Sequence, residues 1–185
     1  QKSVADPSWF WKQVIDEADI EFFEGYDTLR EDTPLPGVYD WFVGGEYNLA
    51  YDALDKQVSA GRGDETAIIW ENESRSTEHV TYRQLQKEAN RVANALQAEG
   101  IRRGERVLMY VPNVPRAVSI LYGAFKIGAV PVPLFSGYGT DSVVKRIESA
   151  EPTAAFVGDG YCYNGSTVSQ RNTFDEALDR TDSVE

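Results

Sequence analysis

The stretch of this sequence most able to do chemistry is the glycine loop Gly137-Tyr138-Gly139. It follows an apolar run ending at Leu134 and precedes a helical pattern, and Asp159 stands 22 residues after Gly137. Glycines at a strand-to-helix turn let backbone approach a pyrophosphate, and an acid at that distance suits a ribose hydroxyl, so one reading is a nicotinamide dinucleotide-binding dehydrogenase domain. Two residues argue against it. Ser142 stands where a third glycine is expected, and Asp141 puts a carboxylate at the helix N-terminus, where a pyrophosphate needs positive potential. A glycine turn with Thr140 as helix cap accounts for Asp141 better, because an acid favours that end of the helix dipole.

The other reactive side chains are thinner candidates. His79, the single histidine, lies in a short strand pattern beside Thr81 with no Cys or Asp spaced to form a nucleophilic triad, so a half-buried strand residue is expected. Cys162, the single cysteine, sits between Tyr161 and Tyr163 with no basic sequence neighbour to depress its pKa. One cysteine leaves no intramolecular disulfide, and one histidine leaves no site of several imidazoles, so no metal site is expected. Arg62-Gly63-Asp64 reads as a polar loop before a strand, and acid runs such as Asp16-Glu17, Glu31-Asp32 and Asp64-Glu65 read as solvated faces. No catalytic residue is assigned within the segment.

The elements that must position these residues follow from periodicity. Ala67 to Trp70 and Glu78 to Thr81 read as strands joined by a polar turn, a β-hairpin. Thr81 followed by Gln84 forms a capping box, and Tyr82, Leu85, Ala89, Val92, Ala93 and Leu96 recur at helical spacing until Gly100. From Arg106 strands and helices alternate: Arg106 to Val111, Val114 to Ile127, Val130 to Leu134, Asp141 to Ser149 and Thr153 to Val157. Such alternation predicts an α/β fold, an incomplete doubly wound parallel sheet with flanking helices. Before it, residues 1–61 read as an aromatic-rich wrapping segment. Ser8 to Glu17 is a short helix, and Thr33-Pro34-Leu35-Pro36-Gly37 forbids regular structure. After Asp159 the chain turns polar, with one short helix expected from Thr173 to Asp179. A sheet that has just delivered its third parallel strand normally continues, and the first residue is Gln, so a piece of a longer protein is expected.

Composition narrows the function classes. Thirty acidic residues against 18 basic ones leave a net charge of −12, without the cluster of Lys and Arg that nucleic-acid binding requires. The longest mainly apolar stretch, Ala129 to Phe135, carries two prolines and falls far short of the roughly 20 residues of a membrane span. No charged segment followed by an apolar core opens the chain, and a cytoplasmic location is expected. Arg outnumbers Lys 12 to 6, and a carboxylate-rich surface of this kind fits either a halophilic, high-salt cytoplasm or an acidic chain without such adaptation.

A further set of motifs carries a resemblance. Trp41-Phe42-Val43-Gly44-Gly45 with Asn48, then Ala67-Ile68-Ile69-Trp70-Glu71, Thr81-Tyr82, Ala93-Asn94-Ala95-Leu96, Gly104-Glu105-Arg106-Val107 and Ile127-Gly128-Ala129-Val130-Pro131 follow one another in a familiar order and spacing. The chain resembles the N-terminal part of AMP-forming acetyl-CoA synthetases and related acyl-CoA synthetases of the adenylate-forming superfamily. The resemblance implies residues 1–61 as the N-terminal extension of that type and 62–185 as the first part of the large AMP-binding domain. It implies a ligase that joins a small carboxylic acid to CoA using ATP and Mg. Its phosphate loop, adenine-binding and Mg-binding acids and C-terminal lysine are expected beyond residue 185, in the remainder of its own chain, leaving this segment inactive alone.

Within the segment the resemblance implies one site. Phe135-Ser136-Gly137-Tyr138 matches the family's loop lining the pantetheine tunnel, making Phe135, Gly137 and Tyr138 the CoA-tunnel residues, with Gly137 leaving space for the thiol arm. The plainer alternative is that Phe135 packs the sheet end and Gly137 only makes the turn. The family's Gly-Tyr-Arg-Arg-Gly, whose arginines meet the CoA nucleotide, is replaced by Gly160-Tyr161-Cys162-Tyr163-Asn164-Gly165, with Arg171 a distant substitute. A stand-alone noncatalytic module that binds CoA or a partner chain is the remaining alternative.

Overall fold

A computed structural model of the chain describes residues 2–181. The chain divides into two units, residues 1–52 and 53–185.

The first unit opens with a short helix, α1 (Lys2–Ala5), and a longer one, α2 (Pro7–Glu17). Asp6 caps α2, accepting from the Trp9 N–H at 2.9 Å, and Pro7 takes the first helical position, where no N–H is needed. Two strands follow, β1 (Thr28–Asp32) and β2 (Tyr39–Val43), paired antiparallel with Arg30 opposite Trp41. This hairpin corrects the expectation of irregular chain here. The prolines at 34 and 36 fall in the connection, where they cost no ladder hydrogen bond, and the Thr33 hydroxyl donates to the Val38 carbonyl at 2.9 Å to close it. The aromatic residues pack on one another: Phe22 lies 5.3 to 5.5 Å from Tyr26, Phe42 and Tyr47, and Trp11 meets Trp41 edge-on at 5.9 Å.

The second unit holds the α/β core. A π-helical turn at Val58–Arg62 leads into an antiparallel hairpin, β3 (Thr66–Glu71) with β4 (Thr77–Thr81). The capping box then starts α3 (Tyr82–Ala98), with Thr81 and Gln84 exchanging both bonds, and its Leu85, Ala89, Ala93 and Leu96 are buried. Three parallel strands follow, β5 (Arg106–Tyr110), β6 (Val130–Pro133) and β7 (Ala154–Val157), in the order β6-β5-β7. The crossovers are helices, α4 (Pro115–Lys126) between β5 and β6 and α5 (Thr140–Ala150) between β6 and β7. Central β5 is covered on both faces, which explains its continuous apolar run. Leu108 and Tyr110 pack with Val143, Val144 and Ile147 of α5, whereas Val107 packs with Leu96, Ala124 and Ala129. Pro131 and Pro133 are tolerated because β6 is an edge strand of this sheet. Gly123 admits α4 close to α3, since a Cβ there would stand 2.6 Å from Val92. Lys126 and Asp55 form a largely buried ion pair, and Gln86 donates to Asp55 at 2.7 Å.

Beyond β7 the chain makes a second hairpin absent from the sequence reading, β8 (Tyr161–Tyr163) with β9 (Ser166–Val168). Asn164 and Gly165 turn it with φ of 50° and 73°, the conformation that Asn-Gly adopts most cheaply. Helix α6 (Gln170–Leu178) starts three residues before the expected position because Ser169 caps it, accepting from Asn172 N–H at 3.3 Å.

Candidate functional site

The connection between β6 and α5 carries Phe135, Gly137 and Tyr138. Leu134, 6% exposed, fixes its root by donating its N–H to the Met109 carbonyl at 2.9 Å. The next four residues close a turn, with Tyr138 N–H donating to the Phe135 carbonyl at 3.1 Å. Two other elements then hold Tyr138. The Tyr110 phenol, at the end of β5 and 1% exposed, donates to the Tyr138 carbonyl at 2.6 Å. Burial pushes that phenol's pKa above 10.0, with the Thr173 hydroxyl pulling back, so it stays a donor at neutral pH. From α5, Arg146 lays its guanidinium 4.0 Å from the Tyr138 ring centroid and donates to the Tyr138 hydroxyl at 2.9 Å.

Phe135 stands apart from this order. It is 65% exposed, and its ring meets Tyr138 edge-on at 5.6 Å. A large aromatic left in water at the carboxyl end of a parallel strand is where an α/β sheet binds ligands. The space left by Gly137 is filled by this same ring, because a Cβ there would lie 2.7 Å from Phe135 Cε1. Gly137 is not among the glycines with positive φ, so the turn itself does not demand glycine.

The remaining candidates fall elsewhere. Gly139, not Thr140, caps α5, which corrects the expected cap. Thr140 occupies the first helical position and its hydroxyl donates to Glu176 at 3.0 Å. Asp141 does sit in the first turn of α5, paired with Arg180 at 2.8 Å, so a carboxylate and its counter-ion occupy the place a dinucleotide phosphate needs. Asp159 is exposed after β7. His79 lies in β4 but is exposed rather than half-buried, because it faces outward opposite Ile69, itself 67% exposed. Cys162 is a free, exposed thiol, and neighbouring Tyr163 is 60% exposed. Arg171 is committed to Asp175 within α6, its Nε at 2.8 and 3.0 Å from the two carboxylate oxygens. Asp64 of the Arg62-Gly63-Asp64 tripeptide pairs with Arg83 at 3.1 Å. Among the described residues, no group of three or more His, Cys, Asp or Glu could hold a metal ion, and no helix is long and apolar enough to cross a membrane. The sequence reading missed Arg146 and Tyr110, which lie 8 and 28 residues from Tyr138. Neither carries a local sequence signal, since each meets Tyr138 only through the assembled sheet and helix.

Known proteins resemble both units. The family model for the acetyl-coenzyme A synthetase N-terminus matches residues 1–53, and that for AMP-binding enzymes matches residues 54–185. The chain is 32% identical to 3-hydroxypropionyl-coenzyme A synthetase of Metallosphaera sedula, covering 93% of this chain and 26% of the relative. It is 34% identical to acetyl-coenzyme A synthetase of Halorhodospira halophila, over 96% of this chain and 27% of the relative. Among solved structures, acetoacetyl-CoA synthetase from Streptomyces lividans superposes with a TM-score of 0.89 at 32% identity, covering 99% of this chain and 28% of that one. The chain therefore spans about a quarter of the length of the relatives it matches. With residues 54–185 matched by the one model and 1–53 by the other, the chain belongs to the AMP-binding enzyme family, in the branch that carries an acetyl-coenzyme A synthetase N-terminus.

Proposed function

We propose that the protein carrying this chain is an ATP-dependent, AMP-forming acyl-CoA synthetase, an acid-thiol ligase. The observation that carries this reading is the end-to-end tiling of the chain by the two models, in the order N-terminal extension then AMP-binding domain. In such a reaction a carboxylate oxygen attacks the α-phosphorus of ATP, and pyrophosphate leaves with the electrons of the broken P–O bond. The CoA thiol, losing its proton, then attacks the acyl carbon and AMP leaves, giving the thioester. The sheet of the second unit is the start of a doubly wound sheet, and residues 62–185 are the opening of the AMP-binding domain. The loop Phe135-Ser136-Gly137-Tyr138 lines the path of the pantetheine arm, with no catalytic residue in this segment. Among the described residues, no group of three or more His, Cys, Asp or Glu could hold the magnesium ion that such a ligase takes.

Relatives at 32 to 34% identity are named for acetyl, 3-hydroxypropionyl and acetoacetyl groups. Similar likeness to enzymes named for differing acids supports a choice of acid made outside this segment. The full-length protein tests the proposal. Exchange of labelled pyrophosphate into ATP that depends on acetate, propionate or another short carboxylic acid, followed by CoA thioester formation, supports it. Exchange absent with every short acid, or CoA binding by a chain that catalyses neither half-reaction, favours the noncatalytic module instead.

A further inference from the structure

We infer that Arg146 is a positioning residue for thioester formation, acting through Tyr138 on the shape of the opening at Phe135 and Gly137. The inference rests on the reading of this loop as part of the CoA path and adds to it a residue that touches no substrate. Four contacts carry it. Arg146 Nη2 donates to the Tyr138 hydroxyl at 2.9 Å while the guanidinium covers the ring face at 4.0 Å. Its other terminal nitrogen donates to the Ser142 carbonyl at 3.0 Å, one turn earlier in α5, so the guanidinium is held at both ends. The Tyr138 ring in turn meets the Phe135 ring in a T-shaped contact at 5.6 Å and an interplanar angle of 81°.

The geometry gives Tyr138 no freedom and Phe135 a good deal. Tyr138 is fixed through its carbonyl by Tyr110 and through its ring by Arg146. Phe135 has the Tyr138 ring on one side, the bare backbone of Gly137 beneath it and solvent elsewhere. A thiol arm passing over Gly137 must displace the Phe135 ring, and the ring has to move against a wall of constant position. Arg146 supplies that constancy from a rigid helix. Arg suits the task better than Lys, since its planar fork can stack on a ring and donate in two directions at once.

The test uses the full-length protein and measures pyrophosphate exchange, CoA KM and the rate of thioester formation. Arg146→Ala is expected to raise the CoA KM about tenfold, the scale of losing one part-buried cation–π contact with its hydrogen bond, while exchange falls by less than about twofold. Arg146→Lys keeps a cation over the ring and recovers part of the loss. Tyr138→Phe keeps the ring and loses only the hydroxyl, so its CoA KM rises by about threefold at most. Should Arg146→Ala fail to fold, the order parent, Tyr138→Phe, Arg146→Lys in CoA KM carries the test. An unchanged CoA KM in these variants, or equal losses in both half-reactions, overturns the inference. Gly137→Leu separates it from the reading beneath it. If that variant loses thioester formation while Arg146→Ala keeps the parent CoA KM, only the role of Arg146 falls. If Gly137→Leu leaves both half-reactions intact, the CoA path itself is elsewhere and the inference falls with it.

Discussion

Two loops leave the carboxyl ends of the two parallel strands that flank β5 and are built on opposite plans. The loop after β6 is short and held by side chains from elsewhere, Tyr110 from β5 and Arg146 from α5. The excursion after β7 is a self-contained hairpin, turned by Asn164-Gly165, with Cys162 and Tyr163 exposed. The Asn164 N–H ties it to the β3–β4 turn by donating to Glu73 at 3.0 Å. Long-range tethers fix the position of a ligand-facing side chain, whereas turn chemistry fixes only the local fold. The first plan suits a passage whose width matters. The second tolerates exchange of its side chains, because Asn164 and Gly165 alone set its turn.

The largest effect that separates the loops is expected from Gly137→Leu in the full-length protein. The new Cβ would stand 2.7 Å from Phe135 Cε1, so the ring must move and the branched side chain fills the opening. Thioester formation is expected to fall about a hundredfold, with pyrophosphate exchange near the parent level. Because Gly137 has no left-handed φ, backbone strain offers no excuse for a general loss. Equal damage to both half-reactions would break the comparison by making the loop a structural support.

Tyr110→Phe comes next and acts on the tether. It removes the donor to the Tyr138 carbonyl and is expected to cost about 1 to 2 kcal/mol of stability in the 185-residue chain, read from denaturant melts. The pH dependence sharpens this. Burial raises the Tyr110 pKa in the folded state, so the folded chain holds this proton more tightly than the unfolded chain does. The stabilisation is complete below the ordinary value of 10.0 and is lost as pH rises through the raised one. The gap in stability between parent and Tyr110→Phe is therefore expected to narrow from pH 8 toward pH 11. A gap that stays constant or widens would mean that the phenol titrates without feeling its burial.

How much of this was legible depended on whether the signal was local. Helix α3 announced itself in Thr81, Gln84 and the spacing from Leu85 to Leu96, and the parallel strands in their apolar runs. The hairpin β8-β9 was equally local, since Asn164-Gly165 between Tyr163 and Ser166 is a strong turn signal, but a polar surrounding hid strands with few apolar residues. In the first unit, Pro34 and Pro36 signal irregular chain, but they interrupt only the connection between β1 and β2. Gly137 was singled out by its place in the loop, yet the contact it permits, with the ring of Phe135, needs coordinates. Arg146 and Tyr110 were beyond reach for the same reason: each meets Tyr138 only after the sheet has assembled.

Within the second loop, Gly165→Val probes whether turn chemistry alone supports it. Gly165 has φ of 73°, which a β-branched residue adopts at a cost of about 1 to 2 kcal/mol. That cost is expected to appear as faster amide exchange across Tyr161 to Val168, with the global melt lowered by less, since the hairpin can open alone. Faster exchange at Leu134 to Tyr138 as well would show that the two loops are coupled, and the contrast between them would be lost.

The smallest effect asks whether the second loop still has a role in binding. Tyr163 is 60% exposed in β8, so Tyr163→Arg places a guanidinium near the position of the family's arginine pair without disturbing a core contact. Asn164 is a poorer site for the same change, because its φ of 50° favours Asn over a longer side chain. An added cation facing the phosphates of CoA from a solvated position is worth about two- to fivefold in CoA KM, and the gain should shrink as salt rises from about 0.1 M to 1 M. Tyr163→Ala controls for simple loss of the ring and should leave CoA KM where it was. A gain with Arg and no change with Ala would mean that the hairpin faces the nucleotide end of CoA but has given up its grip. No gain with Arg would mean that this hairpin points away from the path, leaving the loop at Phe135 as the segment's sole contribution to holding CoA.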